Sequence, residues 1–300
     1  NKTVSHQKII FAKLGLIKNS IVSKLSCTAV NHYFCNMKRI LIWGFTVFVV
    51  SCNNKKQNDI PGSTVTTQEE KLKAEIIKYP DSLILMENLV QYYREGGNYD
   101  EAVKTINQAL QKDSSIARLW DIKAILSYEN GDTATAIQAF EKAISIFPEP
   151  VYVISLGTLY AQTKNENALT MADALLIGNK ANANREAFFI KGLYFSATHQ
   201  KEKAIGFFDK ALATDYGFME AYREKAIALY DLQKYTDALQ VLQKAVKLNN
   251  RYEEGYYYMG LNFEKLGKKE EAIESYETAL IYAPDYIEAK DALAKLGIKH

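Results

Sequence analysis

The sequence predicts an all-α chain in which about six helix–turn–helix units stack side by side, with a capping helix at each end. Two observations predict it. From Leu83 to Tyr286 one 34-residue pattern restarts at Leu83, Ala117, Val151, Arg185, Met219 and Glu253. In most units a small residue is followed four places on by a bulky one, and three places further by another small one. A fixed period of this length marks repeats that cannot bury their apolar faces alone and must stack.

The second helix of five of the units carries that marker, as Ala102/Ile106/Ala109, Ala136/Phe140/Ala143, Ala204/Phe208/Ala211, Ala238/Leu242/Ala245 and Ala272/Tyr276/Ala279. Spacings of four and three place the three residues on one helical face. The alanines allow a close helix approach, and the bulky residue fills the space beside them. Pro148 and Pro284 follow two of these helices. Sixteen residues before the first alanine stands a large residue that opens the first helix: Trp120, Phe188, Tyr222 or Tyr256. Gly192 and Gly260 follow four places later, then Phe195 and Phe263. One unit loses roughly 1–2 kcal/mol of backbone entropy per residue. Each large side chain it buries returns about 1.5–3 kcal/mol, so the units need each other.

The ends need solvating helices. Residues 287–297 repeat the first-helix pattern with charges interleaved and stop at Gly297, which predicts a C-terminal cap. Thr67–Tyr79, ending before Pro80, predicts the N-terminal one. The third unit departs from the pattern. Its Leu156-Gly157 comes one residue early, Thr170 and Ile177 occupy the small positions, and residues 178–184 form a polar exit. It is either an ordinary diverged unit or a local bend.

These residues resemble the tetratricopeptide repeat family, whose pattern is W-x2-L-G-x2-Y, A-x3-F, A and P at fixed places. The sixth unit is most similar, with Tyr256, Met259-Gly260, Phe263, Ala272, Tyr276, Ala279 and Pro284 in phase. The resemblance implies a right-handed superhelical array with repeats at 83–116, 117–150, 151–184, 185–218, 219–252 and 253–286, within a domain of residues 67–300. It further implies that the first helices line a concave face through their second, fifth, ninth, twelfth and thirteenth positions. The candidate contact residues are then Tyr128, Phe189, Leu193, Arg223, Ile227, Tyr230, Tyr257 and Leu261. Family members that clamp acidic chaperone tails use Lys and Asn at the fifth and ninth positions. That pattern is absent, and an apolar and aromatic strip edged by charge stands in its place. Such a strip suits an extended peptide or a helix of a protein partner.

Ahead of the array, Met37-Lys38-Arg39 leads into an apolar run, Ile40 to Val50, and then Ser51-Cys52. A short basic segment, an apolar core and a small residue before a cut site describe a secretory signal at 37–51. The core spans about 16 Å as a helix, against roughly 30 Å of bilayer hydrocarbon. Val49-Val50-Ser51-Cys52 resembles a bacterial lipobox, which implies cleavage before Cys52 and lipid on its sulfur. Two or three acyl chains would hold the chain on a membrane. Residues 52–66 form a flexible tether of roughly 20 Å. Residues 1–36 are expected to be upstream sequence absent from the natural product. The seven Lys/Arg and no Asp/Glu of residues 1–52 also suit an organelle-import peptide, though import peptides favour Arg and only Arg39 is present.

Of 37 basic and 35 acidic residues in the chain, removal of 1–51 leaves 30 against 35. A mildly acidic mature chain has no electrostatic case for nucleic acid. Cys27 and Cys35 precede Met37, so Cys52 would be its only cysteine. His199, in a predicted turn, and His300 are its only histidines. No Cys/His cluster, phosphate loop or nucleophile elbow occurs. No cofactor, metal, small-molecule substrate or enzymatic activity is expected. The expectation is a protein-interaction scaffold anchored through Cys52 in a bacterial envelope, on the periplasmic side of the outer membrane. Asn53 after Cys52 favours the outer membrane by resemblance to enteric lipoproteins, and the Lys55-Lys56 pair does not resemble the acidic surface-export signal of some Bacteroidetes, which favours the periplasmic side. A self-associating envelope component, or an organelle or cytosolic repeat protein without an anchor, are the alternatives.

Overall fold

The computed structural model describes residues 67–177 and 183–298, which contain fourteen α-helices and no strand. The lipobox, its Cys52 and everything else before residue 67 lie outside the described residues. The chain divides into two compact units, residues 1–105 and 106–300.

The first unit contains α1 (Gln68–Lys78), α2 (Leu83–Glu95) and the start of α3 (Tyr99–Lys112). A reciprocal cap starts α1: the Glu70 amide donates to Thr67 Oγ1 at 3.2 Å, and the Thr67 amide donates to Glu70 Oε2 at 2.8 Å. Two otherwise orphaned amides are thereby satisfied. No residue of α1 is buried. It meets α2 through polar groups, the Tyr93 hydroxyl donating to Glu69 Oε1 at 2.7 Å while Lys73 Nζ sits 2.7 Å from the same carboxylate. Such a helix solvates an end and adds little core, as expected of a cap.

The second unit continues with α4 (Ala117–Glu129), α5 (Thr133–Ile146), α6 (Pro150–Gln162), α7 (Asn167–Ile177), α8 (Asn184–Ala197), α9 (Lys201–Thr214), α10 (Met219–Asp231), α11 (Tyr235–Leu248), α12 (Glu253–Lys265), α13 (Lys269–Tyr282) and α14 (Ile287–Lys295). In α5, α9, α11 and α13 the small–bulky–small residues are fully buried. The large first-helix residue has a polar duty as well. Trp120 Nε1 donates to the Ser114 carbonyl at 2.8 Å, and the Tyr256 hydroxyl donates to the Asn250 carbonyl at 3.3 Å. Each ties its helix back to the turn before it. Those turns share an Asx geometry, with Asp113, Asp215 or Asn249 accepting from the amide two residues on.

Each first helix ends the same way. A residue with φ near +60 to +90° follows it, at Gly97, Gly131, Lys164, His199, Gln233 and Gly267. The next amide reaches back five residues, for example Gln200 to the Phe195 carbonyl at 2.8 Å and Lys268 to the Phe263 carbonyl at 3.0 Å. This left-handed cap satisfies terminal carbonyls and favours glycine. Gln233 carries a Cβ into that conformation (φ 61°). Replacing Gln233 with glycine is expected to raise stability by roughly 1 kcal/mol, measured as a higher urea midpoint at unchanged slope.

Gly260 serves a different need. A Cβ there would stand 2.6 Å from Cδ1 of Tyr276, and nearer still to Cε1. The Tyr276 ring is fully buried, and its hydroxyl donates to Glu264, so it cannot slide away. Gly260→Ala is expected to be destabilising, because overpacking of about 1–3 kcal/mol outweighs the roughly 1 kcal/mol gained in helix propensity. Adding Tyr276→Leu should restore stability, since Ala226 and Leu242 occupy the same two places one repeat earlier. Thermal unfolding of the single and double variants checks this.

The third repeat differs from the expectation drawn for its small positions. Thr170 is exposed and Ile177 is 84% exposed, while Ala168, Ala172 and Leu175 are buried instead. The buried triad stands two residues earlier than in its neighbours, for two reasons. Pro150 starts α6 one residue early, as the first helical position allows. The turn after Lys164 is then one residue shorter than the others, counted to the first buried alanine.

Candidate functional site

The candidate contact residues stand on first helices, Tyr128 on α4 and the others on α8, α10 and α12 of the last three repeats. The structure separates its residues into two groups. Tyr128, Leu193, Phe189 (5% exposed) and Arg223 (4% exposed) are buried. Ile227, Tyr230, Tyr257 and Leu261 keep part of their surface in solvent.

The fifth-position residues Phe189 and Tyr257 are overlaid in a common way. The last residue of each of these repeats is aromatic: Phe218, Tyr252 and Tyr286. The Phe218 ring lies 4.9 Å from that of Phe189, and the Tyr286 ring lies 5.2 Å from that of Tyr257. Arg185 also stacks over Phe218, its guanidinium carbon 5.0 Å from the ring centre. The signal was available as a 34-residue recurrence of aromatics. Phe189 and Arg223 therefore pack between repeats and are not free contact surface, which corrects the expectation for them. Tyr128 and Leu193 are corrected likewise. Tyr128 is enclosed beside α6, its hydroxyl donating to Gln162 Oε1 at 3.3 Å, and burial pushes that hydroxyl up to about 12.

Arg223 is the most unusual of these. Its Nη1 donates to Glu254 Oε2 at 2.8 Å and its Nε to Glu224 Oε1 at 3.2 Å, with all three side chains largely withdrawn from water. Nη2 has no hydrogen-bond partner among the described residues. Burial alone would lower its pKa, but Glu224 and Glu254 hold it well above the ordinary value. Tyr252 and Tyr258 lie against this cluster, and burial raises both hydroxyls. Arg223, expected to face a partner, meets a carboxylate of the next repeat.

The partly exposed residues form a strip. Ile227, Tyr257 and Leu261 pack by their inner edges on the core around Tyr222, Leu242 and Tyr258, and Tyr257 and Leu261 also pack on that around Tyr276 and Leu293. Tyr230 meets Tyr235 edge-on at 5.3 Å and has Lys265 Nζ 5.9 Å from its ring centre. Burial pushes the Tyr257 hydroxyl up to about 12, with Glu288, Glu264 and Asp291 adding to the shift. Among the described residues no three His, Cys, Asp or Glu side chains converge as metal ligands, and no helix is long and apolar enough to cross a membrane. The chemistry on this face is contact: aromatic edges, aliphatic surface and surrounding carboxylates.

Fold and face together define a helical-repeat protein whose candidate site is a strip along successive first helices. Three family models described as tetratricopeptide repeats match the chain, at residues 88–149, 226–267 and 253–286. These segments are similar to tetratricopeptide repeats. A TPR repeat-containing protein of Methanocaldococcus jannaschii is 26% identical over 211 residues, which is 66% of this chain and 36% of that protein. The stress-induced-phosphoprotein 1 of Caenorhabditis elegans is 22% identical over 221 residues, covering 71% of this chain and 67% of its own. Among solved structures, a tetratricopeptide repeat protein from Parabacteroides merdae superposes with a TM-score of 0.64 at 20% identity, over 77% of this chain and 91% of that one. These likenesses agree on an all-helical tetratricopeptide fold.

Proposed function

We propose that the chain is a non-catalytic interaction scaffold, lipid-anchored through Cys52 in a bacterial envelope, which holds an extended peptide or helix of a protein partner along its first helices. The observation that carries the binding role is the partly exposed strip of Ile227, Tyr230, Tyr257 and Leu261, contributed by consecutive repeats. Aromatic and aliphatic groups fixed from behind by a packed core lose little entropy on binding. The anchor rests on the lipobox-like Val49 to Cys52 and the polar segment after it.

A photo-crosslinking residue at Tyr230 or Leu261, in the chain expressed in bacterial cells, should give a discrete adduct that the same residue at outward-facing Gln243 or Glu274 does not. Adducts only from the outer positions would defeat the binding reading. Mass spectrometry of the mature N-terminus tests the anchor separately, and an unmodified residue upstream of Cys52 would rule it out. Exposed Ile281 and Ile287, close to the C-terminal end, favour self-association as the second reading. Adducts between copies at Ile287 would support that one.

A further inference from the structure

We infer that the corner where α1 meets α2 docks on the lipid surface to which Cys52 is tied, with Ile77, Tyr79, Leu83 and Ile84 entering the headgroup layer. This rests on the lipid-anchor reading above and adds a second membrane contact, made by the folded array itself. Among the described residues eleven large apolar side chains are exposed, and seven of them are spread from Phe147 to Ile287. Single exposed residues of that kind are ordinary. The other four fall within eight consecutive positions: Ile77 at 81%, Tyr79 at 54%, Leu83 at 38% and Ile84 at 72%. Clustered exposure marks a contact surface. Local geometry gathers them. In α1 only Glu69, Leu72 and Ile76 are partly covered, and Ile77 lies one residue beyond that stripe, in solvent. The chain then reverses tightly, the Tyr79 amide donating to the Glu75 carbonyl at 2.8 Å and the Ser82 amide to the Tyr79 carbonyl at 3.1 Å. The Ser82 hydroxyl caps α2, accepting from the Leu85 amide at 3.4 Å. Ile77 thus ends one arm of the corner, and Leu83 and Ile84 start the other.

Exposed apolar groups work against the solvating role of a terminal cap, and a covering surface resolves the conflict. What covers them follows from where the chain leads. α1 starts at Gln68, and only residues 52–66 and the capping Thr67 separate it from Cys52. A segment of that length spans roughly 20 Å as a coil and about 50 Å when fully drawn out. With the acyl chains of Cys52 in the bilayer, this corner is the exposed apolar cluster nearest to lipid along the chain. A weak contact beside such a tether is strengthened by effective concentration. The composition suits the same occupant. Lys78 Nζ stands 5.1 Å from the centre of the Tyr79 ring, and an aromatic body with an ammonium beside it fits the boundary between hydrocarbon and water. Glu75, Lys78 and Asp81, all exposed, nearly cancel in charge, so the contact is apolar and needs no anionic lipid.

The test uses the mature chain with a hexahistidine tag in place of Cys52, held on phosphatidylcholine vesicles through a nickel-chelating lipid, so that attachment does not depend on acylation. Cys27, Cys35 and Cys52 are the only cysteines of the sequence, so one added cysteine takes an environment-sensitive fluorophore. A label at Ile84→Cys should shift to the blue on vesicles and lose about half its emission to brominated lipid tails. A label at Ile177→Cys, another exposed isoleucine, should do neither. Ile77→Gln with Ile84→Gln should raise the vesicle concentration needed for half binding about tenfold. Both side chains are exposed, so the thermal midpoint should not change. A label at position 84 that stays in water while the tag holds the chain on the vesicle overturns the inference and leaves the anchor standing. A blue shift without vesicles that disappears on dilution assigns the corner to a second copy of the chain and overturns it as well. An unmodified residue upstream of Cys52 in the mature protein defeats the anchor reading itself, and the fluorophore result then decides alone whether this corner binds lipid.

Discussion

Arg223→Met should destabilise the protein by about 3–5 kcal/mol and release the last two repeats before the rest of the second unit. The wild-type guanidinium separates Glu224 from Glu254, and both carboxylates are largely withdrawn from water. Removing it leaves two like charges without their cation, the costly way to break a buried pair. In a repeat array stability is close to a sum of repeat and neighbour terms, so the damage stays local. Urea unfolding followed by circular dichroism should change from one transition to two. The triple variant Arg223→Met, Glu224→Gln, Glu254→Gln should recover most of the loss, because a buried ion cluster is rarely better than a well-packed neutral one. A single transition at the wild-type midpoint in Arg223→Met would show that the cluster contributes nothing.

Alkaline pH should unfold the same region. Burial raises the hydroxyls of Tyr252, Tyr257, Tyr258, Tyr276 and Tyr286, Tyr257 to about 12. A group whose folded pKa lies above its unfolded value of about 10 contributes its full stability below pH 10 and loses it as pH rises through the folded value. Five such groups give a slope of at most about 7 kcal/mol per pH unit, which is comparable with the whole stability of a typical domain. Solvent at the edges of Tyr257 and Tyr286 reduces it. Phenolate absorbance and loss of helical dichroism should therefore appear together between about pH 10 and 12. Gradual ionisation with helicity intact would contradict this account.

The fold was legible because its determinants are local and periodic. Ala272, Tyr276 and Ala279 recur at spacings that a helix converts into one face, and all three are fully buried. The capping helices were legible for the same reason, as charge interleaved with the repeat pattern. The candidate site was half legible. Which residues stand on the first helices follows from phase, but which stay exposed depends on what the next repeat lays over them. Phe189 is covered by Phe218 across 29 positions, and Arg223 is neutralised by Glu254 across 31. Both partners lie on the far side of a second helix, beyond the reach of helical periodicity. Tyr257 lies in the last repeat, which is followed only by the short, charged α14 and not by another full repeat, and it stays partly open.

The two-residue shift in α7 makes the second unit a stack with a fault in it. Repeats on either side share one phase, so a consensus repeat could replace any of them while keeping its alanines under the same neighbours. Substituted for the third repeat, it would present its bulky residue where α6 and α8 are shaped for Ala172. Grafting and shuffling of modules should therefore succeed within each side of the fault and fail across it. The third repeat behaves as a splice between two interchangeable series.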